Sequence, residues 1–226
     1  MSDAKRFSAI FCGLEQAYGT YRIDKKQSNG KQSGRASIVR EPRTTELWEG
    51  HLSGKGTALG IIPINENNSC KWGCIDVDTY PLDHGKLVER IRAAKIPMVV
   101  CRSKSGGAHC FLFTKEWVTA KEMQAVLTHI AAALSYAGSE IFPKQVRLEL
   151  DRGDTGNFLN TPYYDAEDGL RYAILDDGSA ATLSEFFDLY DKYVLTPEEL
   201  SALVIDEDEA KPMKDGLPTA LMFTEN

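Results

Sequence analysis

"CKWGCIDVDTYP", residues 70–81, sets two aspartates inside a run that otherwise reads as a buried strand. Ile75 and Val77 are β-branched and, with Cys74, suit a strand packed against apolar neighbours. Side chains two apart on a strand point the same way, so Asp76 and Asp78 share one face. Like charges held side by side repel unless a cation neutralises them. Hard divalent ions such as Mg²⁺ and Mn²⁺ take carboxylate oxygens and leave positions open for phosphate. An Asp-x-Asp pair by itself equally describes two solvated acids at a strand end, so the flanking sequence has to decide.

Outward from this strand, LDHGKLVERIRAA predicts a helix from about 82 to 94, and PMVVCRSKSGGAHCFLFT a strand, a loop and a strand. A long helix over 119–137 starts at Thr119 as its cap, with Met123, Val126, Leu127, Ile130 and Leu134 as its apolar stripe. Another strand–loop unit runs through EIFPKQVRLELDRGDTGNFLNTPYY, followed by a helical SEFFDLYDKYV. Upstream, residues 7–20 read as a helix and YRIDKKQSNGKQSGRASIVREP as two short strands around a mobile loop. TTELWEGHLSG reads as a short helix closed by Gly54, and ALGIIPI as a buried strand. The order βαββαβ over 70–165 predicts an α/β (α+β) fold with an RRM-like palm, preceded by an N-terminal αβ lobe. The expected organisation is an αβ lobe over 1–66, an RRM-like catalytic lobe over 67–204, and an acidic linker or disordered tail over 205–226.

The 226 residues suffice for one large domain or two lobes sharing a core, and 42% hydrophobic with 26% charged residues is ordinary for a soluble protein. No apolar run approaches the roughly 20 residues of a membrane span, and the start lacks a signal-peptide core. Five cysteines without a paired framework fit a reducing compartment, so a cytoplasmic location in a bacterial, archaeal, phage or mobile-element host cell is expected. The net charge of −7 is unevenly spread: residues 165–226 hold 16 of the 33 acids and only 4 of the 26 bases. The remaining body is therefore mildly basic and compatible with a phosphate-bearing partner.

A second informative stretch is CRSKSGGAHCFLF, residues 101–113. Gly106 and Gly107 let backbone N–H groups approach a phosphate, and Arg102, Ser103, Lys104 and Ser105 add polar and basic side chains. His109 opens the outgoing strand beside this loop. Each feature has a duller counterpart, a flexible hairpin and a buried histidine, and the loop is not a Walker motif.

Together the blocks resemble the archaeo-eukaryotic primase superfamily, in particular primase-polymerase domains of mobile elements, viruses and conflict systems. ELWEGHLSGKGTALGIIPI is similar to their lead-in, CIDVDTYP to their first metal motif, and RSKSGGAHCFLF to their second, histidine-bearing motif. EIFPKQ followed by GNFLNTPYY is similar to their third block. The resemblance covers most of the chain, with four blocks in the right order. It implies that Asp76 and Asp78 are metal ligands and catalytic acids, and that His109, Ser105 and Lys104 contact a nucleoside triphosphate. Arg102, Gly106 and Gly107 belong to the same loop, while Lys144, Arg147 and Asn157 are candidate phosphate or sugar contacts. The third acid matches Glu140; the family commonly has Asp there, and Glu149 and Asp151 lie close by.

The implied function is template-directed nucleotidyl transfer by a DNA primase or primer-extending polymerase, with Mg²⁺ or Mn²⁺ in a two-metal site between the lobes. The implied partners are a single-stranded DNA template and dNTP or NTP, with a helicase or helical priming domain as a further partner, in the same chain or another. Two rival readings fit the residues less well. A DxD nucleotide-sugar glycosyltransferase needs a run of strands before Asp76 that this chain does not offer, and a catalytically silent single-stranded nucleic-acid-binding module has no use for intact acids. No zinc is expected: Cys70 and Cys74 are four apart without matching ligands, and His51, His84 and His129 show no partner spacing. Trp48, Trp72 and Trp117 read as core.

Overall fold

The computed structural model describes residues 1–26 and 32–211, with side chains excluded for 22–26 and 32–34. The chain builds two four-stranded antiparallel sheets. The second follows the predicted order: β4 (Ser69–Val77), α3 (His84–Ala93), β5 (Val99–Arg102), β6 (Ala108–Thr119), α4 (Ala120–Ala133) and β7 (Glu140–Phe142). Its strands lie in the order β5-β6-β4-β7, which puts the aspartate strand β4 inside the sheet. Asp83 caps α3 and Thr119 caps α4 by accepting from the backbone N–H three residues on.

Alternation along β4 divides its side chains between two cores. Ile75 and Val77 join Leu87, Val88, Ile91, Met123, Leu127 and Ile130 under α3 and α4. Trp72 and Cys74 point the other way, into a core shared with the first sheet and α1 (Asp3–Ile10). Phe11 meets Trp72 at 5.5 Å and Phe111 at 5.3 Å between ring centroids, both edge-on, and such pairs contribute about 0.5–1.5 kcal/mol each beyond area burial. The aromatic cluster therefore joins the N-terminal helix to the second sheet. Asp76 is next in register after Cys74 on that same face, where the shared core reaches solvent.

The first sheet consists of β1 (Tyr18–Lys26), β2 (Gln32–Val39), β3 (Leu59–Ile61) and β8 (Leu159–Asn160), in the order β2-β1-β3-β8. Between β2 and β3 lies α2 (Thr45–Leu52), closed by Gly54 at φ +68°. After β8 come α5 (Leu183–Tyr193), α6 (Pro197–Ser201) and α7 (Glu207–Ala210). No helix among the described residues is long and apolar enough to cross a membrane.

Several expectations are corrected. The helix expected over 7–20 is α1, ending at Ile10. Phe11 leaves helical geometry, and the chain then runs against the segment after β3, where Leu14 N–H donates to the Ile62 carbonyl at 3.0 Å. A Cβ on Gly13 would lie 1.9 Å from that carbonyl oxygen, so the close passage requires glycine. The two strands of the basic stretch are long rather than short, while the expected mobile loop at 27–31 falls outside the described residues. Within the expected strand–loop unit, the alternating VRLELD forms no strand: Leu150–Arg152 is a 3-10 turn, and Leu150 is exposed. Residues 159–160 return to the first sheet, so the lobe expected over 1–66 is completed by chain from beyond that boundary. The tail expected from 205 is ordered at its start, where Ala210 of α7 is buried and its carbonyl accepts from Arg90. Residues 212–226 lie outside the described residues.

Candidate active site

Cross-strand register assembles one row of side chains across the second sheet. Asp76 on β4 stands opposite Glu140 on β7 and opposite His109 on β6, and His109 in turn stands opposite Cys101 on β5. Cys101 continues the row to Ala173 through an isolated bridge. Acids occupy one end of this row, and its other end, Cys101 and Ala173, is buried.

Asp76 is the electrostatic centre. Burial first, then the neighbouring Asp78 and Glu140 carboxylates, together push its pKa up to about 7, with Lys144 working in the opposite direction. Its Oδ1 is buried with no hydrogen-bond partner. His109 Nε2 lies 3.5 Å from that oxygen, yet burial, helped by the charge of Arg171, holds the imidazole pKa down at about 4. The contact at neutral pH is therefore not an ion pair. A main-chain hydrogen bond to Asn160, on β8 of the first sheet, partly offsets the shift. His109 thus bridges the two sheets.

The other candidates divide into groups. Asp78 is exposed just past the end of β4 and accepts from the Tyr80 hydroxyl at 2.8 Å, and Ser105 interacts with the same phenol. Lys144 binds Glu140 at 2.7 Å. Lys104 extends from its loop to place Nζ 3.7 Å from the ring centroid of Tyr21 on β1. Arg102 donates to the Leu170 carbonyl at 3.0 Å and so anchors the segment leading to Arg171. Asn157 is exposed and paired with Gln145, outside the row of acids. Arg147 pairs with Glu149 on the surface at 3.2 Å.

The glycines of the second motif act differently from the simple cradle expected. Gly106, at φ +95°, spends its N–H on the Ser103 carbonyl at 3.1 Å, and Ser103 N–H donates back to Gly107 at 2.8 Å. A Cβ on Gly107 would lie 2.3 Å from the Val77 carbonyl oxygen. Gly107 therefore lets the loop close down on the end of the aspartate strand, and His84 fixes it from α3 through the Gly107 carbonyl at 3.0 Å.

The donor set fits a hard divalent cation. An unsatisfied buried carboxylate oxygen, crowded by two further carboxylates, is what such an ion neutralises. Among the described residues no three His, Cys, Asp or Glu side chains already converge as a finished metal cluster. The reason is local: Glu140 is turned to Lys144, and Asp78 holds Tyr80.

Sequence reasoning missed Asn160 and Arg171. Asn160 has a buried, unpartnered Oδ1, and Arg171 is a buried cation whose charge reaches His109. Nothing in GLRYAIL marks Arg171 apart from an ordinary surface arginine. Trp117, expected in the core, is 43% exposed and carries Lys71 against its ring at 5.6 Å. Trp48 and Trp72 are buried. Cys70 and Cys74 belong to different cores.

The family model of the TOTE conflict system archaeo-eukaryotic primase domain matches residues 7–183. Among solved structures, the chain is similar to the AEP domain of the cyanophage S-2L primase-polymerase, at 10% identity and a TM-score of 0.44, covering 83% of this chain and 96% of that one. It is likewise similar to the catalytic domain of primase RepB′ in complex with initiator DNA, at 10% identity and a TM-score of 0.40, covering 84% of this chain and 94% of that one. No curated protein matches. With the family model spanning well over half of its length, from α1 to the start of α5, the chain belongs to the archaeo-eukaryotic primase domain family of TOTE conflict systems.

Proposed function

We propose that this domain is a template-directed nucleotidyltransferase that joins nucleotides on single-stranded DNA, with Asp76, Asp78 and Glu140 as its metal-binding acids. The observation that carries the reading is the buried, unpartnered Oδ1 of Asp76, held in register between Glu140 and His109. In the reaction a 3′-hydroxyl attacks the α-phosphorus of a dNTP or NTP, the new P–O bond forms, and pyrophosphate leaves. Asp76, Asp78 and Glu140 would hold two Mg²⁺ or Mn²⁺ ions, which would supply charge stabilisation for the attacking and leaving oxygens. Glu140 and Asp78, both exposed, would exchange their contacts with Lys144 and Tyr80 for the ions.

The chain's other residues position and neutralise. His109, its ring oriented by the main-chain hydrogen bond to Asn160, stands on the phosphate side of the acids and donates to a phosphate oxygen from its second nitrogen once the arriving anion has favoured its protonation. Lys104 and Ser105 line the nucleotide side of the loop that Gly106 and Gly107 close, and Arg102 supports it from behind. Lys144, released from Glu140, donates its N–H to a phosphate oxygen. Asn157, paired with Gln145 at the surface, is assigned to the sugar side of the nucleotide or to the template. A helicase or helical priming domain fits as a partner that supplies single strands or assists initiation.

The deciding experiment is a gel assay with labelled dNTP or NTP, Mg²⁺ or Mn²⁺, and both primed and unprimed single strands. Extension of primed strands, absent in Asp76→Asn, supports the reading, and products on unprimed strands add primase activity. Absence of incorporation under every combination would overturn it.

A further inference from the structure

Arg171 is only 9% exposed, yet no carboxylate among the described residues pairs with it. Its polar contacts are sparse: Nη1 reaches the Thr161 carbonyl at 3.5 Å, and the guanidinium lies 5.7 Å from the centroid of the Tyr164 ring. Proteins rarely bury a cation without a counter-charge, because desolvation is then uncompensated. Arg171 lines a cleft of about 500 Å³ whose other walls include Thr20, Tyr21, Ser37, Thr57 and Tyr164. Tyr164 is itself fixed by donating to the carbonyls of Gly54 and Gly56. Across Tyr21 stands a second cation, Lys104. Among the described residues the cleft is thus lined by one cation and several hydroxyls with no acid, and a second cation is held against one of its wall side chains.

Its position selects the anion. The row across the second sheet runs Glu140, Asp76, His109, Cys101, Ala173, and Arg171 precedes Ala173 by two residues. From Asp76 to Cys101 is two strand spacings, about 10 Å. A polyphosphate whose α-phosphorus sits at the acids and whose chain passes His109 points its far end toward this cleft, and Arg171, whose charge reaches His109, is the buried cation on that side. A nucleic-acid backbone is met by a string of exposed cations, whereas the cation lining this cleft is one buried guanidinium.

We infer that Arg171 and its cleft bind the terminal phosphates of the incoming nucleoside triphosphate, and so distinguish triphosphate from monophosphate. The inference rests on the nucleotidyltransferase reading above. It assigns Arg171 as a substrate-binding residue, with Tyr164 as its positioning neighbour.

The test uses the full chain with Mn²⁺ and compares equilibrium binding of dATP, dAMP and a single-stranded oligonucleotide to wild type, Arg171→Met and Arg171→Lys. Wild type should prefer dATP over dAMP. Arg171→Met should lose most of that preference, roughly tenfold or more in dATP affinity as expected for a charge-assisted contact, with dAMP and oligonucleotide binding unchanged. Arg171→Lys should keep part of it, since charge survives without the fork geometry. Melting temperature should hold or rise in Arg171→Met, because an uncompensated buried charge has been replaced by an apolar chain of similar length. An unchanged dATP-to-dAMP ratio in Arg171→Met overturns the inference, and a lowered melting temperature beside it makes the arginine structural. Loss of oligonucleotide binding with the ratio intact also overturns it, and assigns the cleft to a DNA strand. If wild type itself binds no dATP, the underlying nucleotidyltransferase reading fails with it, an outcome visible before any variant is compared.

Discussion

Asp76 and His109 are register partners on adjacent strands, and the histidine Nε2 stops 3.5 Å from an aspartate oxygen that has no hydrogen-bond partner. A charged imidazole would have neutralised the acid. Burial keeps the ring neutral instead, so the carboxylate is left to carry its charge against Asp78 and Glu140. The site is therefore destabilising to the metal-free protein whenever Asp76 ionises.

That cost has a definite pH dependence. The Asp76 pKa is raised from 3.8 in the unfolded chain to about 7 in the native one, so its stabilising contribution is full below about pH 4 and is lost as pH rises through 7. Asp76→Asn should raise the melting temperature of the metal-free protein by several degrees at pH 8, with the gain shrinking as pH falls toward 4. Mn²⁺ should stabilise wild type at pH 8 and leave the variant unmoved, and the variant should incorporate no nucleotide. A pH-independent difference in melting temperature would remove Asp76 from the centre of the site.

Glu140→Gln should lower incorporation about a hundredfold or more, the scale of losing one electrostatic partner of a transition state, despite its near-identical volume. Glu140 stands directly opposite Asp76. Glu149→Gln and Asp151→Asn should leave incorporation near wild type, because both residues are exposed around the 3-10 turn and Glu149 is occupied by Arg147. An active Glu140→Gln with a dead Asp151→Asn would transfer the third-acid role to Asp151.

Lys104→Ala should raise the KM for nucleotide roughly tenfold, the worth of one charge-assisted hydrogen bond, and leave template affinity unchanged. His109→Ala should act in the same direction. Steady-state kinetics at varied nucleotide, beside a filter-binding titration of template, separate the two effects. Template affinity lost at constant KM would put the loop on the DNA side.

Gly107→Ala should cost about 1–3 kcal/mol of stability, the usual penalty for forcing a methyl into packed backbone. The added Cβ would lie 2.3 Å from the Val77 carbonyl, so the loop must lift from the end of β4 and incorporation should fall as well. Gly106→Ala meets nothing closer than the Arg102 guanidinium at 3.6 Å and suffers only from its φ of +95°. Urea denaturation of both variants tests the contrast: equal losses of stability with undiminished activity would show that the close approach is not what Gly107 provides.

The βαββαβ order was readable because each element is bounded by its own cap or glycine and has its own apolar period. Thr119 marks the start of α4 to the residue, whereas the helix ends at Ala133, four residues before the expected 137. The end of α1 was not readable, since Phe11 and Leu14 keep helical spacing while being buried by unrelated neighbours, the aromatic cluster and the chain at Ile62. VRLELD alternates in composition, but Leu150 has nothing to cover it and the alternation carries no strand. His51 looked partnerless because its partners are backbone groups: Leu59 N–H donates to Nδ1 at 3.0 Å, and Nε2 therefore donates to the Pro162 carbonyl at 2.8 Å. Arg171 is hidden for a similar reason. Its burial is created by residues near 20, 57 and 164, which no local pattern can bring together.

The return of β8 to the edge of β3 has a consequence for anyone who cuts this gene in two. A fragment ending at residue 66 would keep β3 with an unmated flank and an open seat where Leu159 is buried. The complementary fragment would carry that plug with nowhere to put it, and would also lack Phe7 and Phe11 from its aromatic core. Neither half should be soluble alone, since bare strand flanks and uncovered aromatic rings both invite self-association. Co-expressed, the halves should find each other, and recovery of one folded species from two polypeptides would measure how tightly this stitch fastens the domain.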